Sequence, residues 1–257
     1  MHSVGSAKMD NDTIIQKIKS YEHDYKSFMN IKTLPEYSII TKTASINVAE
    51  MSGFESLAST KYDLNGYLHT LYVSSNLPLY RYVLFHEFTH ILDTEMYVNK
   101  DICRYIGISG YLEYHASQIE LMELLRAKSN AEVISFSVRY IIETISGKKT
   151  VIQYLSEKYQ HAVELFCRND FPSDINMLNA ALGVLFNYWG LRSICKMYST
   201  DYIFQENNQV FLNIIPNTDF NALNCVSTGW MDSTKRESCI TLYFKTIFSL
   251  IKKYDLK

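Results

Sequence analysis

The chain has no excess of charge of either sign and no long apolar run. Its formal net charge is −2 over 257 residues, and its lysines and arginines are spread along the chain. Proteins that bind nucleic acid directly usually carry a basic patch for the phosphate backbone. No stretch approaches the roughly 18 apolar residues of a membrane helix, and the polar residues 1–12 contain no signal-peptide core. We therefore expect neither a direct nucleic-acid partner nor a membrane association.

Cysteine chemistry is also missing in any recognisable form. The five cysteines are an odd number, widely spaced and without a Cys-x-x-Cys pair, which argues against a disulfide framework and a thiolate zinc site. There is no phosphate-binding loop, nucleophile elbow, internal repeat or low-complexity tract. The cysteine pattern favours a reducing compartment. We expect a cytoplasmic protein, and the sequence does not specify its oligomeric state.

What the chain does contain is His-Glu-x-x-His at residues 86–90. Two residues four apart on an α-helix point in nearly the same direction, one turn from each other. His86 and His90 can therefore share one metal ion, while Glu87 lies beside that ion. A carboxylate in this position can take a proton from an activated water and pass it to a leaving amine, as in zinc peptidases. The alternative is a pair of structural histidines in the core.

A predicted strand leads into the motif helix. Residues 67–74 follow Asn65-Gly66, a dipeptide typical of hairpin turns, and apolar spacing predicts a helix that begins near Pro78. The strand should lie beside the metal, either as an edge strand that pairs with an extended substrate or as an ordinary core strand. Two further β-like runs precede it, at residues 37–41 and 45–49.

A zinc site with two histidines needs a third protein ligand and an open position for water. Residues 111–127 predict a strong helix, rich in Leu, Glu, Met and Ala. Glu113 and Glu120 lie seven residues apart on one face of this helix, and either could be the ligand. We prefer Glu113, and we expect Glu120 and Glu123 to lie on a solvated face.

Supporting roles at the metal site are predicted for Asp93 and for one of four candidate transition-state donors. Asp93, one turn after His90, could accept the ring N–H of a ligand histidine or could be exposed. His2, His23, His69 and His161 are interpreted as structural. The sequence does not distinguish among four candidate donors to the transition state, which are Tyr72, Tyr111, Tyr114 and His115.

The chain beyond residue 130 is predicted to be mainly helical. Gly190 should end one of its helices. In the first region, Gly107 and Gly110 should mark a connection before the helix that begins at residue 111. We predict an α+β fold. A zincin-like domain at residues 1–130 has a small sheet and two metal-bearing helices, and a mainly helical region follows at residues 131–257. The predicted elements there are helices at 131–146, 151–167, 174–189, 191–198 and 234–253 and a strand at 210–215.

The pair of motifs resembles a known family. His-Glu-Phe-Thr-His at residues 86–90, followed by Glu-Tyr-His-Ala at 113–116, is similar to the ImmA/IrrE-type metallopeptidases, whose pattern is His-Glu-x-x-His and then Glu-x-x-Ala on a second helix. The resemblance covers residues 65–125. Thr89 and Ser117 depart from it, since the family often has Gly and Asn there. The first motif also resembles that of thermolysin-like gluzincins.

The resemblance implies a function. His86, His90 and Glu113 would bind one zinc ion per chain, and Glu87 would be the general base of an intracellular endopeptidase. Known members come from bacteria and their mobile elements and cleave or inactivate helix-turn-helix repressors, so a repressor would be a protein substrate. The alternative is a non-catalytic regulator that keeps the zincin fold and docks a partner through its helical half. A docking protein has no need of Glu87, whose presence favours the enzyme.

Overall fold

The computed structural model describes residues 10–43 and 57–257. The predicted strand at 45–49 lies outside the described residues. Within these ranges the fold is mixed and mostly helical, with two small sheets, which confirms the α+β prediction at this level. No helix in the described ranges is both long enough and apolar enough to cross a membrane.

The N-terminal part consists of a helix and a three-stranded sheet. The first helix, α1 (Asn11–Met29), begins where the Asp10 side chain accepts a hydrogen bond from the Thr13 backbone N–H. The sheet has the order β1-β3-β2, in which β3 is parallel to β1 and antiparallel to β2. Its strands are β1 (Tyr37–Lys42), β2 (Ala58–Asp63) and β3 (Leu68–Ser74).

The sheet order decides between the two interpretations of the strand before the motif. Because β3 pairs with a strand on each side, it is the central strand, and the edge-strand interpretation is wrong. The edge position on the side of the motif helix belongs to β2, which the chain reaches before β3. Among the described strands, β2 has a partner on one side alone, and its other side is the one that another extended chain could join.

The motif lies on α2 (Arg81–Tyr97), one turn later than the predicted start near Pro78. Side chains on all faces of its central part are buried, so α2 passes through the core. The next helix, α3 (Ile102–Leu124), runs unbroken through Gly107 and Gly110, and the predicted interruption there is wrong. A Cβ at Gly110 would lie 2.5 Å from the Tyr243 ring, so this glycine allows a later helix to pack closely.

Residues 131–146, predicted as a helix, instead form an extended segment and the start of a β-hairpin. Strands β4 (Ile141–Thr144) and β5 (Gly147–Thr150) pair antiparallel. Burial alternates along β4, which is the period of a strand and not of a helix. Gly147 has φ +100°, a value that favours glycine at a tight turn.

Two long helices follow the hairpin. At the start of α4 (Val151–Phe166), Thr150 and Gln153 form a capping box, and this helix confirms the prediction. The next helix, α5 (Ile175–Tyr198), continues through Gly190, where a stop was predicted. A Cβ at Gly190 would collide with the backbone carbonyl oxygen of Tyr114, so the glycine permits α5 to cross α3 at close range.

The last part of the described chain is helical. The predicted strand at 210–215 is wrong, because these residues lie in a short helix and the turn after it. The terminal helix confirms the prediction made from its apolar spacing. The elements are α6 (Gln209–Leu212), α7 (Asn217–Val226) and α8 (Ser233–Tyr254).

A continuous hydrophobic core extends from the N-terminal helix and sheet to the last helices. Within it α3 packs against α2 on one side and against α5 and α8 on others. The helix that follows the motif is therefore surrounded by elements from both predicted regions. The division into residues 1–130 and 131–257 stays a prediction.

Candidate metal centre

Three side chains that can bind metal meet where α2 faces α3. His86 and His90 lie one turn apart on α2, and Glu113 approaches from α3. The Glu113 carboxylate places Oε2 3.6 Å from His86 Nε2 and Oε1 3.7 Å from His90 Nε2. One ligand atom from each residue lies within 4.8 Å of the other two. Ligand atoms about 2.0–2.2 Å from a tetrahedral zinc ion are roughly 3.4 Å apart, so small adjustments would let these three atoms share one ion.

Glu120 lies at the opposite edge of the His86 ring. Its Oε2 is 3.0 Å from His86 Nδ1, and the residue is 1% exposed. A proton on Nδ1, donated to Glu120, leaves the lone pair of Nε2 directed at the other two ligand residues. The expectation that Glu120 lies on a solvated face is wrong, because its helix face packs against α2. Glu113 and Glu120 thus contact different nitrogens of one imidazole.

The third candidate ligand, Glu113, is held in place by α5. The Asn187 side-chain oxygen accepts a hydrogen bond from the Ser117 hydroxyl, and Asn187 also hydrogen-bonds to Glu113. Gly183, one turn earlier on α5, leaves room beside the carboxylate, since a Cβ there would lie 3.6 Å from Glu113 Cγ. The C-terminal region therefore positions a residue of the metal-ligating group.

The charges of the candidate ligands affect one another. Burial by itself lowers the pKa of His86, but hydrogen bonds and charge interactions with Glu113 and Glu120 outweigh it and raise the pKa to about 10. Burial raises the pKa of Glu113, and the two histidines outweigh it and lower the pKa to about 2. The carboxylates therefore favour positive charge at the position that the ligand atoms surround, which suits a divalent cation.

Glu87 belongs to the same region without belonging to the ligand group. It is 5% exposed and lines the cavity beside the histidines. The Thr60 hydroxyl donates a hydrogen bond of 2.6 Å to Glu87 Oε2. Since Thr60 lies on β2, the edge strand holds this carboxylate in place beside the candidate metal position.

A cavity of about 430 Å³ opens at the ligand group. Strand β2 forms one wall with residues 58–62, and α3 contributes Tyr105 and Ile106. Helices α4 and α5 form another wall, on which Lys158, His161 and Asn187 lie. The volume is typical of sites for small ligands or short segments of a larger one.

Two of the four predicted transition-state donors lie in other environments. The Tyr114 hydroxyl donates a 2.6 Å hydrogen bond to the Gly229 carbonyl oxygen. The ring of Tyr72 is covered by the Lys42 ammonium group, 3.7 Å from the ring centroid. Neither residue is among those that line the cavity, so the structure does not place a donor at either position.

The other two predicted donors, Tyr111 and His115, form a separate cluster with Asp93. Asp93 Oδ2 lies 2.6 Å from His115 Nδ1, and the Tyr111 ring stacks on His115. None of the three lines the cavity. Asp93 therefore pairs with His115, whereas the partner of the candidate ligand His86 is Glu120.

Helix α4 supplies site residues that the sequence did not reveal, since Lys158 and His161 line the cavity and Tyr154 contacts Glu120. Tyr154, Lys158 and His161 are spaced four and three residues apart, which places them on one face of the helix. Burial lowers the pKa of Lys158 and that of His161. The sequence did contain a signal for these residues. Polar side chains recur on the buried face of this amphipathic helix. His161 and His69, both interpreted as structural, line the cavity.

Comparison with protein-family models, with curated proteins and with solved structures finds no match to this chain. We therefore infer the kind of site from the side chains that could bind a metal ion. Two imidazoles and one carboxylate on two packed helices form a group that could hold one metal ion. Such a donor set, with a carboxylate beside it, is typical of catalytic zinc sites.

Proposed function

We propose that the protein is a zinc-dependent endopeptidase with a zincin-like site. The observation that carries the proposal is that His86, His90 and Glu113 surround one point while Glu87 faces the same cavity. Two ligand histidines, a ligand carboxylate and a separate carboxylate are the parts that zinc-assisted amide hydrolysis requires. The function supported best is therefore hydrolysis of peptide bonds in a protein or peptide substrate.

The donor set suits zinc. His86, His90 and Glu113 would hold the ion, one per chain, through nitrogen and oxygen atoms that zinc accepts readily. When bound, zinc supplies Lewis acidity, which polarises a carbonyl group and makes water a better nucleophile at neutral pH. With three protein ligands, the ion would keep a position for a water molecule or for the substrate.

Glu87 supplies the proton transfer. Its carboxylate takes a proton as water attacks the scissile carbonyl carbon, and it returns a proton to the nitrogen of the leaving amine. The hydrogen bond from Thr60 restricts rotation of this carboxylate. A general base must be held in hydrogen-bonding reach of the attacking water, so the edge strand contributes to the chemistry by positioning Glu87.

The edge strand β2 is also a reason to propose a polypeptide substrate. Strand β2 borders the cavity and pairs with the sheet on one side. An extended peptide can add to such an edge through backbone hydrogen bonds, which do not require a particular side-chain sequence.

A helix-turn-helix repressor as substrate, and a bacterial or mobile-element origin, are proposed on the family resemblance alone. A cytoplasmic location is proposed because the five cysteines are free thiols.

The replacement Glu87→Gln tests the proposal. It retains the side-chain size, and the Gln oxygen can still accept the Thr60 hydrogen bond, so zinc content and Tm should stay close to wild type. Cleavage of a quenched-fluorescent peptide library should fall by about 10²- to 10⁴-fold. Glu164→Gln, an exposed change on α4, is the matched control and should cleave like wild type.

The outcome also separates the enzyme from the alternative. If Glu87→Gln keeps its zinc and also performs like wild type in a cellular assay, hydrolysis is not the function. A non-catalytic zincin-fold regulator that docks a partner through its helical region would then be supported. Mass spectrometry of the purified wild-type protein measures its bound metal. A wild-type protein without zinc would remove the basis of the proposal.

A further inference from the structure

A chain of buried polar side chains connects α4 to the candidate metal ligands. The Tyr154 hydroxyl donates a hydrogen bond to Glu120 Oε1, and Glu120 Oε2 lies 3.0 Å from His86 Nδ1. All three residues are buried. The other ring nitrogen of His86 faces Glu113 and His90. A single line of contacts therefore runs from the C-terminal region to the atom that would bind metal.

We propose that Tyr154 is a positioning residue of the metal centre. It holds the Glu120 carboxylate in one orientation, and Glu120 in turn holds the ring plane and the Nδ1 proton of His86. The inference rests on the proposed function only in requiring a metal at His86. It assigns a role in metal binding to a helix that lies outside the two motif-bearing helices.

The physical need for Tyr154 follows from the carboxylate that it contacts. A carboxylate has two oxygen atoms with several acceptor positions, and in a buried site each oxygen needs a donor. Imidazole N–H satisfies one Glu120 oxygen and the phenol O–H satisfies the other. With both bonds made, the carboxylate cannot rotate without losing one. A fixed negative charge at Nδ1–H also makes Nε2 a stronger metal ligand.

The local structure fixes Tyr154 in turn. It lies one turn into α4, whose start is set by the capping box of Thr150 and Gln153. The hairpin that leads into α4 is attached to α2, since the Ile145 backbone N–H donates a 2.9 Å hydrogen bond to the Tyr82 hydroxyl. Helix α2 thus carries a candidate ligand and also anchors the hairpin that delivers its supporting residue.

The test is Tyr154→Phe, which removes one hydroxyl group and keeps the ring. The zinc dissociation constant, measured by competition with a chromophoric chelator, should rise about tenfold or more, since loss of an outer partner of a ligand histidine typically weakens metal affinity 10- to 100-fold. The visible absorption bands of the Co²⁺-substituted protein should also shift. Both readouts are independent of catalytic activity.

The matched control is Tyr188→Phe. Tyr188 is also buried, and its hydroxyl donates a 2.8 Å hydrogen bond to a carboxylate, that of Glu206. Both changes should lower Tm, since each removes a hydrogen bond to a carboxylate. Only Tyr154→Phe should change the zinc affinity and the Co²⁺ spectrum, which a merely structural role would leave unchanged.

Two results would overturn the inference. Wild-type zinc affinity and an unchanged Co²⁺ spectrum in Tyr154→Phe would reject it and leave the proposed function standing, whereas a wild-type protein that binds no zinc would reject both. If Tyr154→Phe does not fold, Tyr154→Met removes the same hydroxyl group with a more adaptable side chain. Weaker zinc binding in Tyr154→Met supports the inference, and unchanged binding rejects it.

Discussion

The hydroxyl group of Thr60 donates a 2.6 Å hydrogen bond to Oε2 of Glu87. The bond joins the edge strand β2 to the motif helix α2, two elements that are separated in the chain by the central strand β3. Both side chains line the cavity. The strand that we propose as the docking edge for a peptide thus also holds the proposed general base, so substrate binding and proton transfer share one structural element.

Replacement of Thr60 by Val should lower the rate of peptide cleavage about 10-fold or more without loss of zinc. Val has nearly the shape of Thr but cannot donate to Glu87, and hydrogen bonds to charged groups contribute about 1.5–3 kcal/mol. Thr70→Val, on the neighbouring strand β3, is the control and should cleave like wild type. Parallel loss of zinc and activity in Thr60→Val would instead indicate a role in maintaining the metal centre.

The two glutamates that contact His86 should differ in their effects on zinc affinity. Glu113→Gln removes a ligand charge and should weaken binding more than 100-fold, because metal-ligand bonds supply most of the binding free energy. Glu120→Gln should weaken it about 10- to 100-fold, and the exposed Glu164→Gln should have no effect. Competition titrations give this order directly. A larger effect of Glu120→Gln than of Glu113→Gln would reverse the two assignments.

Zinc affinity should rise with pH up to about pH 10. The pKa of His86 is raised from 6.5 to about 10, since Glu113 and Glu120 outweigh the effect of burial, and zinc must displace this proton. Affinity should therefore increase up to tenfold per pH unit in this range, and calorimetry in buffers of different ionisation enthalpy should detect the released proton. An affinity that is constant above pH 7 would contradict this.

The same shift predicts the pH dependence of stability without metal. A raised pKa in the folded state means that the charged His86 stabilises the fold fully below pH 6.5. This contribution is lost as pH rises toward about 10. Denaturant unfolding of chelator-treated protein should show it, and His90→Ala, which leaves both carboxylates beside His86, should retain a decline in the same direction.

Lys158 should contribute to turnover and not to metal binding. It lies on the cavity wall formed by α4, where a cation can stabilise the oxyanion that develops on the scissile carbonyl. Lys158→Met should lower kcat about 10²- to 10³-fold. Zinc affinity should stay the same or increase, since a positive charge near Glu113 and Glu120 is removed. Lys148→Met, exposed on β5, is the control, and unchanged kcat in Lys158→Met would assign the oxyanion to another group.

Replacement by alanine should affect protein stability differently at two glycines of α5. A Cβ at Gly190 would collide with the backbone oxygen of Tyr114, whereas a Cβ at Gly183 would make ordinary contacts with Glu113. Gly190→Ala should destabilise the protein by several kcal/mol because backbone must move. Gly183→Ala should be neutral or stabilising by up to about 1 kcal/mol, since alanine favours helix. Chemical denaturation measures both, and equal effects would contradict the close approach of α5 to α3.

Local sequence was sufficient for the features that depend on one helix. The four-residue spacing of His86 and His90 puts both on one face whatever the surroundings, because helix geometry requires it. The same holds for the capping box at Thr150 and Gln153, whose partners are three residues apart. The metal motif and the start of α4 could therefore be predicted without knowledge of the fold.

The glycines show where local reasoning failed. The sequence predicts a connection at Gly107 and Gly110 and a helix end at Gly190, because glycine costs about 1 kcal/mol relative to alanine inside a helix. In the fold these positions lie inside helices, and the last two face side chains or backbone of another helix at a distance that excludes a Cβ. Close packing between distant segments outweighs the local preference.

The buried partners of the site could be placed only by the packed fold. Glu120 follows His86 by 34 positions, and Tyr154 follows Glu120 by another 34. Helix periodicity shows which residues share a face, but it does not show which face another element covers. That depends on how α2, α3 and α4 pack, and packing is set by the combined burial of apolar surface from segments far apart in the chain.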